Sequence, residues 1–233
     1  MSNLKVKEKD IVVPGEVLAN GMDFLPSQGT FRDGDDIVAN MIGLTFIDGR
    51  VLKVIPLNAK YIPRPGDMVI GKVTEMSFSS WFLDIGCANR AMLSVRETQE
   101  FIESGVDLSR YYRFGDYIVA KIIKVTRGNI DLTMKEQGLR RLGVGKLINI
   151  NTSKVPRIIG KQGSMISMIK EKTNCRIVVG KNGLVWLQGE PADERVAAEA
   201  ITMINEDAHK DGLTERIEEF INKKCKGGKD EKK

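Results

Sequence analysis

The sequence predicts a multidomain protein with an all-β N-terminal domain, a five-stranded β-barrel and an α+β C-terminal domain. Its 233 residues exceed the ~100–150 residues of a typical single domain. Short β-branched runs separated by Pro and Gly fill the first half of the chain, whereas helical periodicity appears only after Gly145. The expected domains are 1–62, 63–140 and 146–222, followed by a disordered basic tail at 223–233.

The N-terminal domain is predicted from strand-like runs at residues 11–13, 37–41 and 51–57. A Gly followed by an acidic residue precedes apolar runs along the chain, at Gly15, Gly34, Gly66 and Gly115. Each pair is typical of a turn that leads into a strand. The stiff segment 63–66, which contains two prolines, predicts a domain boundary.

Five strands are predicted in the second segment, at 69–76, 81–85, 91–95, 117–126 and 130–134. A longer stretch, 97–112, separates the third strand from the fourth. Five strands with one long excursion after the third are typical of an OB-fold barrel.

The third segment mixes strands and helices. Strands are predicted near Ile148, at 175–179 and at 184–187, and helices at 164–173, from Pro191 and from Leu213. This pattern predicts an α+β domain.

Composition and charge narrow the possible functions. No run of about 18 apolar residues predicts a membrane helix, and the first ten residues lack the apolar stretch of a signal peptide. Cys87, Cys175 and Cys225 match neither a disulfide framework nor a zinc site. We therefore expect a cytoplasmic protein without membrane association, metal or other cofactor.

The positive charge is concentrated in two places. The tail at 223–233 has six lysines and two acidic residues, and residues 154–181 have seven basic residues and one acidic residue. A charge run is often only a solvated face. The second cluster surrounds a glycine-rich motif, which favours a phosphate-binding role.

This motif is Gly160-Lys161-Gln162-Gly163, which lies between two predicted short helices. Glycine lacks a Cβ, so the backbone there can approach a phosphate closely. The helix that begins near Ser164 directs its unpaired amides to the same place. Bases are then expected over the groove between that helix and the strand at 175–179. Four isoleucines are expected to line this groove or the core beneath it: Ile158, Ile159, Ile166 and Ile177.

Residues 147–207 closely resemble a KH domain. The resemblance rests on the string Val155-Pro-x-x-Ile159, the Gly-x-x-Gly loop and the apolar residues that follow. It implies binding of single-stranded RNA, and we assign this to Arg157, Gly160, Lys161, Gln162, Gly163 and Lys170.

The second segment resembles the S1 RNA-binding domain, as shown by Gly66-Asp67, residues 82–86, 91–94 and 130–133. Strand alternation places Phe82 opposite Leu83 and predicts an outward ring that can stack on a base. Trp81 is expected to belong to the core or to a protein interface. Ser94 stands where the family often has a histidine, and this removes one base-contacting ring. RNA binding on the barrel is assigned to Lys72, Phe78, Phe82, Lys121 and Arg127.

An N-terminal β domain, then S1, then one KH domain resembles the RNA-binding cap subunits of the archaeal exosome. The loop Gly180-Lys181-Asn182-Gly183, in which Asn182 and Gly183 can adopt positive φ, also fits that family. The resemblance implies a trimeric cap on a ring of RNase PH-like subunits. The N-terminal domain would dock on the ring, and the cap would direct the 3′ end of RNA into a phosphorolytic 3′–5′ exonuclease.

Three alternatives remain open from the residues. An enzyme is disfavoured, because His209 is the only histidine and Asp33, Asp35 and Asp36 are more typical of a turn than of a cation site. A structural adaptor would bridge ring subunits without contacting RNA. A stand-alone S1/KH regulator of transcription or translation would associate with RNA polymerase or ribosomes instead.

Overall fold

The computed structural model describes residues 3–57, 60–103, 105–207 and 212–230. The chain forms two compact units, Met1–Ala59 and Lys60–Lys233. The second unit contains both the barrel and the α+β domain. The predicted multidomain fold class, with its β-rich, barrel and α+β parts, is confirmed.

The N-terminal unit contains two four-stranded sheets. Its strands are β1 (Asn3–Leu4), β2 (Ile11–Val12), β3 (Val17–Asn20), β4 (Leu25–Pro26), β5 (Thr30–Asp33), β6 (Asp36–Ala39), β7 (Gly43–Asp48) and β8 (Val51–Pro56). One sheet has the order β1-β3-β6-β5 and the other β2-β7-β8-β4. Small and β-branched side chains, including Val12, Ile37 and Val54, fill the core. The three predicted strands are confirmed to within two residues.

A closed five-stranded barrel begins the second unit. Its strands are β9 (Met68–Met76), β10 (Ser80–Asp84), β11 (Arg90–Ser94), β12 (Tyr117–Val125) and β13 (Asn129–Thr133), in the order β10-β11-β13-β12-β9. All five predicted strands are confirmed. Alternation fills the interior with apolar residues such as Val73, Leu83 and Leu93. Closure leaves the barrel without an unpaired edge.

The α+β domain has a three-stranded antiparallel sheet, with the order β14-β16-β15, and its described residues form four α-helices. Its elements are β14 (Lys146–Asn149), α1 (Val155–Ile159), α2 (Ser164–Thr173), β15 (Arg176–Val179), β16 (Leu184–Gln188), α3 (Pro191–Asp207) and α4 (Leu213–Asp230). The helix predicted to open at Pro191 is confirmed. Of the helices that the structure describes, none has the length and apolar character needed to cross a membrane.

Helix α4 continues to Asp230 and so extends into the segment 223–233 that was predicted to be a disordered tail. Lysine has a high helix propensity, so the helix extends beyond its apolar stripe despite Gly227 and Gly228. Residues 231–233 and His209 lie outside the described residues.

Candidate nucleic-acid interface

The Gly-x-x-Gly loop forms a tight left-handed turn between α1 and α2. Gly160, Gln162 and Gly163 have φ values of 77°, 54° and 82°. Only glycine fits at 160, because a Cβ there would lie 2.7 Å from both the backbone nitrogen and the Cβ of Met165. Successive residues in such a turn direct their backbone amides to the same side. They form a concave surface of the type that binds anions.

The outer side of this loop is open to solvent. A Cβ on Gly163 would meet only Cγ2 of Ile166, at 4.0 Å, and the side chains of Lys161 and Gln162 are exposed. The protein's own side chains therefore do not fill the space in front of the cradle. A sugar-phosphate backbone can approach it directly.

Apolar side chains form the core beneath the predicted groove. Ile158, Ile166 and Ile177 are buried in the core of the α+β domain, and Ile159 packs against it from a half-buried position. These residues fix α1, α2 and β15 relative to one another. They support the cradle from below.

Most basic side chains of the cluster at 154–181, which includes the cradle, are available for a ligand. Lys172 pairs with Glu218 at 2.8 Å, and Lys154 donates to the carbonyl of Asn205. In the described ranges, no ion pair engages the other five basic residues of the cluster. These five are Arg157, Lys161, Lys170, Arg176 and Lys181, and all are exposed.

The aromatic residues of the barrel have three different environments. Trp81 is completely buried, as expected, and its ring meets Tyr112 edge-on at a centroid distance of 4.9 Å. Phe82 points outward but is half-buried, since the guanidinium of Arg90 lies 5.0 Å from its centroid. Phe78, in the turn between β9 and β10, is fully exposed. Of these three rings, that of Phe78 is the most accessible to a base, and Phe101 and Phe114 of the same segment are also exposed, at 90% and 63%.

The basic residues assigned to the barrel are also unequal. Lys121 donates to both carboxylate oxygens of Glu136, at 2.6 and 2.8 Å. Lys72 is exposed but faces Asp84 across the β9–β10 pair. Arg127 is exposed in the turn between β12 and β13. Two of these three cations therefore have a carboxylate as a partner or a cross-strand neighbour, and Lys121 must break an ion pair to bind phosphate.

A buried amide joins the barrel to the α+β domain. Asn182, in the loop between β15 and β16, donates to the carbonyls of Ile70 and Ile85 at 2.8 and 3.0 Å and accepts from Ile70 N at 3.2 Å. The neighbouring Lys181 amide donates to the carbonyl of Met68 at 2.8 Å. Gly183 has the predicted positive φ, whereas Asn182 does not. Asn182 acts through its side chain, which the turn pattern alone does not reveal.

The acidic turn of the N-terminal domain shows no sign of a cation site. Asp33 and Asp36 face each other across the β5–β6 turn, and Asp36 accepts a 2.6 Å hydrogen bond from Asn20. Over the described part of the chain, no three His, Cys, Asp or Glu residues are grouped as metal ligands. The turn interpretation accounts for these residues.

Family models match both domains of the second unit. Residues 60–103 match the model described as "RRP4, S1 domain", and residues 146–206 match the KH domain. The first match begins beside the boundary predicted at residue 63. The second covers β14 to α3, including the cradle.

Relatives match almost the whole chain. The exosome complex component Rrp4 of Methanothermus fervidus is 44% identical over 220 residues, which cover 94% of this chain and 97% of the relative. Rrp4 of Thermococcus kodakarensis is 45% identical over 227 residues, covering 95% and 88% of the two chains. A crystal structure described as that of an exosome complex RNA-binding protein is 36% identical, with a TM-score of 0.64, and covers 72% of this chain and 98% of its own. The chain therefore belongs to the Rrp4 family of archaeal exosome complex components, which carry S1 and KH domains.

Proposed function

We propose that this protein is a non-catalytic, cytoplasmic RNA-binding component of an exosome, and that it binds single-stranded RNA. The open left-handed cradle at Gly160–Gly163 supports this most strongly. It combines a backbone that only glycine permits at 160 with exposed cations at Arg157 and Lys161, neither of which forms an ion pair with a described residue. Such a site binds a phosphate backbone without reading sequence.

The proposed partner is a ring of RNase PH-like subunits on which three copies form a cap. The N-terminal unit has apolar surface that fits this docking role. Its exposed side chains include Ile11, Val13, Met22 and Leu25, at 64%, 51%, 71% and 56% exposure. Single exposed apolar residues are ordinary, but a high density of them is typical of interaction surfaces. The cap would then direct the 3′ end of RNA into a phosphorolytic 3′–5′ exonuclease.

RNA binding is tested with the double variant Lys161→Asp/Gln162→Asp. A charge-assisted hydrogen bond to phosphate is worth ~1.5–3 kcal/mol, so we expect affinity for single-stranded RNA to fall at least about tenfold. Fluorescence anisotropy with a labelled oligoadenylate measures this. The slope of log affinity against log salt concentration should also become smaller, by about 0.7 for each phosphate that the variant no longer neutralises.

The matched control is Arg195→Asp/Thr202→Asp, which makes the same charge change on exposed positions of α3. It should leave the affinity unchanged. Equal losses in the two variants would show a general charge effect, and an unchanged affinity in the folded cradle variant would exclude the cradle as the RNA site. Co-purification from native cells tests the ring. A phosphorolytic ring supports the cap, whereas RNA polymerase or ribosomes would support a regulator.

A further inference from the structure

A second basic site lies where the barrel meets the α+β domain. A cavity of about 350 Å³ is lined by Arg140, Lys170, Cys175, Arg176 and Ile177. Three of these residues are cationic, and no carboxylate is among them. Arg140 comes from the segment that follows the barrel, whereas Lys170 and Arg176 come from α2 and β15. Neither domain alone supplies all three cations.

Arg140 is held in a fixed position although it lies outside any strand or helix. Its carbonyl accepts from Val119 N of β12 at 2.9 Å. The flanking Leu139 and Leu142 are 4% and 5% exposed and belong to the barrel core. The segment is therefore tied to the barrel wall, and the exposed Arg140 side chain projects from a rigid base.

Arg140 also lines a second cavity of about 350 Å³ on the barrel side. Arg110, Arg141 and the half-buried Tyr111 contribute to that wall, and Glu100 is its one acidic lining residue among those described. Arg141 already pairs with Asp116 at 2.9 Å. Arg140 has no ion pair with any residue that the structure describes, so its charge is available at the border of both cavities.

We propose that Arg140, Lys170 and Arg176 form a phosphate-binding junction. It would hold the stretch of single-stranded RNA that passes from the cradle towards the barrel. The proposal rests on the proposed RNA-binding function and adds a site built by both domains. Because the Asn182 side chain hydrogen-bonds the α+β domain to the barrel, the three cations keep fixed positions relative to one another. RNA would follow one continuous positive path, with a phosphate at Arg140 and room for a base beside Tyr111.

RNAs of two lengths can distinguish binding at the junction from binding at the cradle. A KH loop clamps about four nucleotides, so an oligoadenylate of about four nucleotides occupies the cradle alone, and one of about twelve also reaches the junction. Arg140→Ala should leave affinity for the short RNA unchanged. It should lower the affinity for the long RNA about tenfold, as expected when one charge-assisted hydrogen bond to phosphate is removed. The slope of log affinity against log salt concentration should become smaller by about 0.7.

Two further variants complete the test by anisotropy titration of the intact chain. Arg176→Ala, on β15, should also weaken the long RNA about tenfold; because β15 borders the predicted base groove, Arg140→Ala alone tests the short RNA. Arg195→Ala, which removes one exposed arginine of α3 from a separate cavity, should affect neither RNA.

The outcomes distinguish the two proposals. If Arg140→Ala and Arg176→Ala leave the long RNA unaffected while the cradle variant weakens both RNAs, the junction is overturned and the proposed function stands. If the unmodified chain binds neither RNA, both are overturned. Selective weakening of the long RNA supports the junction.

Discussion

Replacing Asn182 should strongly destabilise the second unit. The Asn182 side chain is 7% exposed and makes three hydrogen bonds, at 2.8, 3.0 and 3.2 Å, to backbone groups of the barrel. Asn182→Ala removes all three and leaves the carbonyls of Ile70 and Ile85 without that donor in a buried place. At ~1 kcal/mol for each bond, the unfolding free energy should fall by about 3 kcal/mol.

Urea denaturation followed by tryptophan fluorescence measures this change. Trp81 and Trp186 are both buried, and both belong to the core cluster of the barrel, so they report on the joined domains. With an m-value of about 3 kcal/mol per molar urea for a unit of this size, the midpoint should fall by about 1 M. The effect is large because each missing hydrogen bond leaves a desolvated group behind.

The neighbouring substitution Lys181→Ala is the control. Lys181 bonds to Met68 through its backbone amide, and its side chain is exposed, so alanine keeps the contact. Its unfolding free energy should stay within about 0.5 kcal/mol of the unmodified chain. If Asn182→Ala is equally mild, the amide does not hold the domains together and the reasoning fails.

Two further predictions concern the barrel. Phe82→Ala should lower affinity for the long RNA by less than the ~1–3 kcal/mol of a free stacking platform, because Arg90 covers part of the ring; an anisotropy titration that finds the full loss would show that Arg90 moves away. Glu97 has a pKa below its ordinary value of 4.5, first because it hydrogen-bonds Thr133 and also because Lys135 lies beside it. A depressed folded-state pKa gives stability that is present above about pH 4.5 and is lost as the pH falls further. Glu97→Gln should therefore flatten the stability profile in that acidic range, and urea midpoints that keep the original acid dependence would contradict this origin.

The sequence predicted most of the fold because the fold depends on local patterns. Alternating apolar residues located all five barrel strands, since closure buries every second side chain. The Gly–acid pairs do stand in turns before β3, β6, β9 and β12, as predicted, and the structure adds that the four glycines have positive φ. The cradle was also predictable, because Gly160 and Gly163 are local requirements of the turn between α1 and α2.

The partners of exposed side chains could not be predicted in the same way. Lys121 binds Glu136 through the path of the chain beyond β13, and Phe82 is covered by Arg90 from a neighbouring strand. Both contacts depend on strand register rather than on sequence spacing. Because of these contacts, Lys121 and Phe82 are less available to RNA than their residue types alone suggest.

The residues that join domains were the hardest to recognise. Asn182 satisfies the pattern of a turn, yet its side chain contacts strands more than 90 positions away. Arg140 lies in a short segment with no regular structure, and only the cavities show that it faces both domains. A double arginine between two leucines, Leu139-Arg140-Arg141-Leu142, was the one available signal.

The most direct measurement of the central claim is an NMR titration of the labelled chain with a short oligoadenylate. If the cradle grips the phosphate backbone, the amide resonances of Gly160, Lys161, Gln162 and Gly163 should shift first and furthest, and in proportion to RNA bound. Binding that moves only amides of the barrel, while these four stay in place, would contradict the account.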